Sequence, residues 1–248
     1  MIIGLEPSIF ALVVVAALFG GVLHGATGMA GGLLIAAILS YVIGIKAAVP
    51  VVTVTLVISH FSRVLLYFQH ADWRIVMRVL GFGGPMIIAG AVVFGLISPR
   101  SVAIVFAVFL SLSFPIKYWA RRNDLKTGPK LLAGASVIWG MLAGNVIGPG
   151  FFLAPFLLGT GMGRMTYVGT LAVITFVMNI VKIGVFGATA LIDQQLLLLG
   201  IVTGLITVPG NWIGKSILMR MRDSDHRLAI DVMTAILIVS FVVLALRS

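Results

Sequence analysis

The stretch Ile138–Gly159, IWGMLAGNVIGPGFFLAPFLLG, is apolar enough to lie in a membrane. Its middle is nevertheless crowded with helix breakers: Gly144, Asn145, Gly148, Pro149 and Gly150. An earlier stretch, Gly20–Leu39, GGVLHGATGMAGGLLIAAIL, repeats the design. Backbone that leaves the helix at membrane depth strands N–H and C=O groups. It survives only where protein buries it or where it lines a cavity. Two such breaks, one in each half of the chain, point to a transporter with its binding site between two repeats.

Charged residues make up only 10% of the chain, where soluble domains carry about 25%, so the chain is a polytopic membrane protein with no large soluble domain. The N-terminus has no basic n-region and carries Glu6 and Pro7, so no cleavable signal peptide is expected. The absence of cysteine excludes disulfides, thiolate metal sites and a cysteine nucleophile. In a membrane protein, a net charge of +10 reads as Lys and Arg marking cytoplasmic loops. No loop is long enough for a nucleic-acid-binding module. The expected partners are the lipid bilayer and a small solute, with no nucleic acid and no cofactor.

Apolar runs of about 20 residues can cross a bilayer as helices. The runs are Pro7–His24, then the glycine break, Gly32–Gly44, Ala47–Gln69, Ile75–Ile97 and Pro99–Trp119. After the polar interval RRNDLKTGPK the pattern restarts: Leu131–Gly144, the second break, Phe151–Gly161, Met165–Gly187, Gln194–Met219 and Leu228–Leu246. The halves align at an offset of 118 or 119 residues, with Gly21, Leu23, Gly25 and Gly31 on Gly140, Leu142, Gly144 and Gly150. Further on the offset widens, and Asp72 pairs with Asp193, Pro85 with Pro209 and Gly90 with Gly214. The expected division is a first membrane repeat over 1–120, a cytoplasmic linker over 121–130 and a second repeat over 131–248.

Pro7–Gly44 as one helix would be ~55 Å long, too long for a single ~30 Å crossing. It should therefore fold back as a hairpin that enters and leaves on one side, leaving each repeat an odd number of crossings and turning the second repeat upside down. Charge tests this. With Arg63 and Lys182 set aside as lying within spans, the inverted arrangement gathers twelve bases on one side: Arg74, Arg78, Lys117, Arg121, Arg122, Lys126, Lys130, Arg164, Lys215, Arg220, Arg222 and Arg227. Three lie on the other: Lys46, Arg100 and Arg247. A single broken crossing per repeat divides them eight against seven. The positive-inside bias thus favours an all-α fold of two inverted repeats, each a broken helical hairpin followed by three transmembrane helices. Both termini are then outside the cytoplasm.

The arrangement resembles the TauE/SafE family of sulfite exporters and sulfonate-type anion permeases, over nearly the whole chain. The family's glycine motif, a G-I-G-G-G element followed by an apolar run, is similar to Gly28-Met29-Ala30-Gly31-Gly32 before Leu33-Leu34-Ile35. It is also similar to Val146-Ile147-Gly148-Pro149-Gly150 before Phe151-Phe152-Leu153-Ala154-Pro155. Ala30 and Pro149 replace glycines of the usual motif, and only the second copy keeps the downstream proline. Tyr167-Val168-Gly169-Thr170 looks like the family's V-G-T-S element, with Leu171 in place of the serine. The resemblance implies transport of sulfite, sulfoacetate or another organosulfonate anion across a bacterial-type inner membrane.

Two constellations could carry that chemistry. Helices restarting at Gly32 and Phe151 would present free N–H groups and about half a positive charge, an anion cradle without a formal charge. Its members are Thr27, Gly28, Gly31, Gly32, Asn145, Gly148 and Gly150. Glycine also permits close helix packing, the role expected of Gly20, Gly83, Gly84 and Gly204. The second constellation is His60 with Arg63, and Asn179 with Lys182. The members of each pair are three residues apart and share a helical face, and the two pairs correspond at the 119-residue offset. No Asp or Glu lies deep in any span. A membrane base without a carboxylate invites an anionic substrate, although both bases are near enough to helix ends to snorkel. Histidine as a residue type can carry a proton near neutral pH, so His24 and His60 are proton-coupling candidates, unless they only hydrogen-bond neighbouring helices.

These residues favour a secondary permease for a small anion, working by alternating access between the two breaks. The alternatives are a passive anion channel or uniporter on the same fold, and a non-transporting membrane sensor or assembly subunit. No G-x-S-x-G turn, H-E-x-x-H pair or membrane Asp dyad is present, so no enzyme is expected.

Overall fold

The computed structural model describes residues 5–27, 30–221 and 223–247. Ten α-helices follow one another: α1 (Pro7–Thr27), α2 (Ala30–Ile43), α3 (Ile45–Tyr67), α4 (Trp73–Leu96), α5 (Pro99–Arg122), α6 (Pro129–Asn145), α7 (Gly150–Leu158), α8 (Arg164–Ala188), α9 (Gln194–Arg220) and α10 (Asp223–Arg247). A 3₁₀ turn over Phe68–His70 links α3 to α4, and no strand occurs among the described residues. Among the described residues, six helices (α1, α3, α4, α5, α8 and α9) are long and apolar enough to cross a membrane. Their outer surfaces carry exposed Val15, Leu65, Met77, Leu96 and Leu205, side chains suited to lipid.

The helix starts reproduce the repeat seen in the sequence. The Asp72 carboxylate accepts the N–H groups of Arg74 at 3.0 Å and Ile75 at 3.2 Å, beginning α4. Asp193, its aligned counterpart, accepts the N–H of Leu196 at 2.7 Å and begins α9. Both relieve orphan donors at a helix N-terminus. Ser98 does the same for α5, accepting from Ser101 at 3.1 Å with Pro99 just inside the helix. Pro129 occupies the first turn of α6, where its missing N–H leaves no bond unmade.

Lipid supplies no hydrophobic drive between helices, so close backbone approach has to hold them together. Here one crossing is made twice. A Cβ at Gly21 would strike the Thr207 carbonyl at 2.5 Å, one at Gly25 would strike the backbone of Asn211, and one at Gly214 the carbonyl of Val22, so α1 lies directly on α9. On the other side, Gly140 meets the backbone of Gly83, Gly144 meets the Ile87 carbonyl at 2.5 Å, and Gly90 meets the carbonyl of Met141, placing α6 on α4 in the same way. Gly140, Met141 and Gly144 stand 119 positions after Gly21, Val22 and Gly25; Gly83, Ile87 and Gly90 stand 124 before Thr207, Asn211 and Gly214. The first helix of each half is therefore clasped by the fourth helix of the other.

Helix directions are compatible with inversion. The equivalent helices α5 and α10 run antiparallel, with Lys117 on Asp231 at 2.7 Å near one end and the Phe106 ring 4.6 Å from that of Phe241 further along. The equivalents α3 and α8 also run antiparallel, His60 lying beside Thr175 and the end of α3 at Tyr67 beside Gly169 near the start of α8. The second hairpin closes as expected: the Thr127 N–H, ahead of α6, donates to the Gly159 carbonyl at the end of α7 at 2.8 Å. The two ends of that segment therefore lie together. One expectation fails in detail. Gly20, Gly83 and Gly204 are packing glycines, but a Cβ at Gly84 would meet nothing within 4 Å.

Gly144→Val places a branched side chain against unyielding backbone, where overpacking costs at least ~1–3 kcal/mol. It should lower the thermal unfolding midpoint in detergent and the recovery of monodisperse protein, while Gly84→Ala should behave like the parent. Equal behaviour of the two variants would refute the crossing described.

Candidate functional site

The second break is described in full. Helix α6 ends at Asn145, the chain passes through Val146–Pro149, and α7 begins at Gly150. Gly148 holds φ at +76°, the left-handed region that costs other residues about 1–2 kcal/mol. A Cβ there would also lie 2.7 Å from Leu33, near the start of α2. The second break thus rests against the helix that follows the first. Val146, Ile147, Pro149 and Gly150 are buried, so lipid does not meet this irregular backbone.

The break frees the Val146 carbonyl, and Lys182 from α8 donates to it at 3.1 Å. A cation at a helix C-terminus also faces the negative end of the helix dipole. Lys182 has no exposed surface, and its ammonium lies 5.6 Å from the centre of the Phe186 ring. One turn earlier on α8, Asn179 is fully buried and donates through Nδ2 to the Thr175 carbonyl at 2.9 Å. Asn145, at the end of α6, donates likewise to Met141 at 3.0 Å. The Oδ1 atoms of Asn145 and Asn179 are buried and accept no hydrogen bond among the described residues.

The helices flanking the first break extend further than the sequence implied. Instead of stopping at His24, α1 continues to Thr27, and α2 resumes at Ala30 rather than Gly32. The physical reason is packing: Gly25 is held helical by its contact with Asn211 on α9. Gly31 lies inside α2 against the Gly20 carbonyl and His24, and Gly32 lies against Leu56, where a Cβ would come within 3.0 Å. Likewise α7 restarts at Gly150 rather than Phe151. Gly28 and the Thr27 side chain lie outside the described residues.

Arg63 and His60, from α3, point inward. Arg63 Nη1 lies 3.3 Å from His24 Nε2 on α1, and Tyr67 and Tyr167 are within electrostatic reach of the guanidinium. The His24 and His60 rings meet edge to face at 4.9 Å, and His60 Nδ1 lies 3.5 Å from Thr175 Oγ1 on α8. His24, His60, Arg63 and Lys182 are all buried. Neither base snorkels; each turns into the protein, towards the end of the first helix of its own half. A polar row therefore follows the α3–α8 seam: Arg63, His24, His60, Thr175, Asn179, Lys182. No described carboxylate reaches it: Asp72 and Asp193 cap helices, and Asp231 is held by Lys117 and Tyr118 at 2.7 and 2.6 Å.

A profile described as Sulfite exporter TauE/SafE matches residues 13–241, nearly the whole chain. The chain belongs to the TauE/SafE family. It is accordingly a multi-pass membrane transporter of the sulfite-exporter type, acting on a small anion, in a family of transporters rather than enzymes. No curated protein and no solved structure matches it.

In this TauE/SafE protein the Tyr167–Thr170 element holds a turn. A Cβ at Gly169 would lie 2.7 Å from the Tyr67 carbonyl, and Thr170 Oγ1 accepts the N–H of Asp72 at 2.9 Å. The element thereby clamps the α3–α4 connection next to the Arg63 end of the row. Two seam residues escaped the sequence reading. Thr175 gave no signal, being an ordinary polar residue in a helix. Asn211, buried with Nδ2 2.9 Å from Ser59 Oγ and Oδ1 accepting nothing described, was legible as a lone amide within an apolar span.

Gly148→Ala should destabilise the TauE/SafE protein by about 1–2 kcal/mol through backbone conformation alone. Adding Leu33→Ala should not restore the loss, because it relieves only the steric part. Full recovery of the unfolding midpoint in the double variant would show that crowding, not φ, demands the glycine.

Proposed function

We propose that this chain is a secondary permease for a small oxidised-sulfur anion: sulfite, sulfoacetate or another organosulfonate. It works by alternating access, with the substrate held between the two breaks. The observation that carries this reading is the polar row on the α3–α8 seam, which has a buried base towards each end and no carboxylate among the described residues. A sulfonate or sulfite oxygen array needs donors, and guanidinium offers them in a planar fork suited to two oxygens at once. Arg63, His60, Asn179, Asn145 and Lys182 are the side chains assigned to the anion. The N–H groups of Gly28, Gly31, Gly32, Gly148 and Gly150 and the hydroxyl of Thr27 complete the cradle.

Movement follows from where the row lies. Helices α3 and α8 belong to different halves, 1–120 and 131–248, joined by the linker 121–130. Rocking one half against the other opens the seam first towards one bases' end and then towards the other, the behaviour of inverted repeats around a midplane site. The side rich in Lys and Arg, including the linker, is cytoplasmic, so both termini lie outside the cytoplasm of a bacterial-type inner membrane.

Purified protein in liposomes should carry labelled sulfite or sulfoacetate saturably, and external substrate should accelerate efflux of internal label. Flux without such acceleration would identify a channel, and no flux of either anion under any gradient would end the reading. Arg63→Gln and Lys182→Gln each remove charge-assisted hydrogen bonds worth ~1.5–3 kcal/mol. Transport should fall by roughly tenfold or more, with a smaller fall in the yield of folded protein. Parallel losses of flux and yield would make these bases structural only.

A further inference from the structure

The histidine pair at the Arg63 end carries a consequence beyond anion binding, resting on the anion reading above. A guanidinium has donors only, so the nitrogen facing Arg63 Nη1 at 3.3 Å, His24 Nε2, supplies a lone pair. His24 is therefore neutral, with its proton on Nδ1. That atom is buried and has no hydrogen-bond partner among the described residues. Protonating Nε2 would set two donors and two positive charges against each other at the same 3.3 Å. The Thr175 hydroxyl donates to the Leu171 carbonyl at 2.7 Å, which leaves its oxygen to accept from His60 Nδ1 at 3.5 Å. His24 thus starts neutral, and the His60 ring beside it donates through Nδ1. Lying 4.9 Å apart, the two rings repel a second proton once one is bound.

Groups from α1, α2, α3, α8 and α9 surround the pair. Helix α1 contributes His24 itself, and α2 presents Gly31 to it. From α3 come His60, Arg63 and Tyr67; from α8 come Tyr167 and Thr175, with Lys182 further along. Helix α9 adds the neutral Asn211 through Ser59. Among the described side chains no carboxylate faces the pair; Asp72, beyond the end of α3, is engaged by the N–H groups of Arg74 and Ile75.

We infer that the His24–His60 pair is a proton site linked to the anion: each anion that settles between Arg63 and His24 brings one proton onto the pair. An anion there accepts from the guanidinium and from a newly formed N–H on His24 Nε2, turning a repulsive pair of donors into two donors sharing one acceptor. The proton comes from water, joins the imidazole lone pair and leaves with the anion when the site opens to the other side. No bond in the substrate changes. A monoanion then crosses as a neutral pair, and a dianion crosses with one net negative charge. Linkage is reciprocal, so protons tighten the anion by the same factor as the anion tightens protons.

Sulfoacetate is the probe, because it binds no appreciable proton between about pH 6 and 8. Titrating it into weakly buffered, detergent-solubilised protein with a pH indicator should show uptake approaching one proton per anion bound. Over the same range Kd should rise with pH, approaching tenfold per pH unit as the uptake approaches one proton per anion. His24→Gln and His60→Gln should each flatten that slope, whatever they do to absolute affinity. Sulfoacetate binding without proton uptake in the parent protein would overturn the coupling and leave the anion reading standing. A slope that persists in both variants would also overturn it, by moving the proton elsewhere. If neither sulfoacetate nor sulfite binds at any pH, the anion reading itself fails.

Discussion

Backbone pressed on backbone is the contact from which the remainder of this molecule follows. In lipid, helices gain nothing from hiding apolar side chains, and association rests on close approach and on the few polar groups that can bond. The glycines of α1 and α9, and of α6 and α4, allow that approach. Because each pair joins one half of the chain to the other, neither half holds its first helix by itself. The exchange also forces α3 and α8 together in the middle, since each packs beside the clasp of its own half and runs antiparallel to the other. A seam between two interlocked halves is where relative motion would change exposure, and the buried bases lie along it.

The breaks impose the second constraint. A helix that stops inside a membrane exposes carbonyls that nothing in lipid can satisfy. At the second break the molecule answers with Lys182, whose ammonium meets the Val146 carbonyl, and with the left-handed Gly148, whose missing side chain lets α2 lie close. A buried ammonium beside a helix C-terminus is better placed than one in hydrocarbon, but one carbonyl leaves most of its donor capacity unused. The same side chain can therefore serve the fold and still turn towards a passing anion.

The features legible in the sequence were those with one physical meaning. Asp72 and Asp193 aligned because each caps the fourth helix of its half. The pairing of Gly21 and Gly25 with Gly140 and Gly144 was visible because both crossings demand glycine at matching positions. Residues with two meanings misled. Clustered glycines signal either a broken helix or a tight crossing; Gly25 and Gly31 proved to be the latter, so α1 runs on to Thr27 and α2 is already helical at Ala30. Arg63 and Lys182 could have turned outward to snorkel, and position along a helix does not decide that. Partners on other helices do: His24 for one base and the Val146 carbonyl for the other. Thr175 and Asn211 matter only through what lies across the seam from them, and spacing within one helix carries no such information.

The two ends of the seam are related by position but not by chemistry. Arg63 corresponds to Lys182, His60 to Asn179, and His24 to Ala143, at the same 119-residue offset. A device with identical ends would meet its substrate alike from both sides. Here one end offers a planar guanidinium beside two imidazoles, and the other offers an ammonium beside two amides with unfilled acceptor oxygens. On the proposed reading, an anion moving along the row exchanges a guanidinium and two imidazoles for an ammonium and two amides. With a proton site at the histidine pair, the difference in binding free energy between the two ends would depend on the proton, although the scaffold holding them is nearly symmetric. On that reading, repetition of the backbone crossing provides for the motion, and divergence at three aligned pairs of side chains provides its bias.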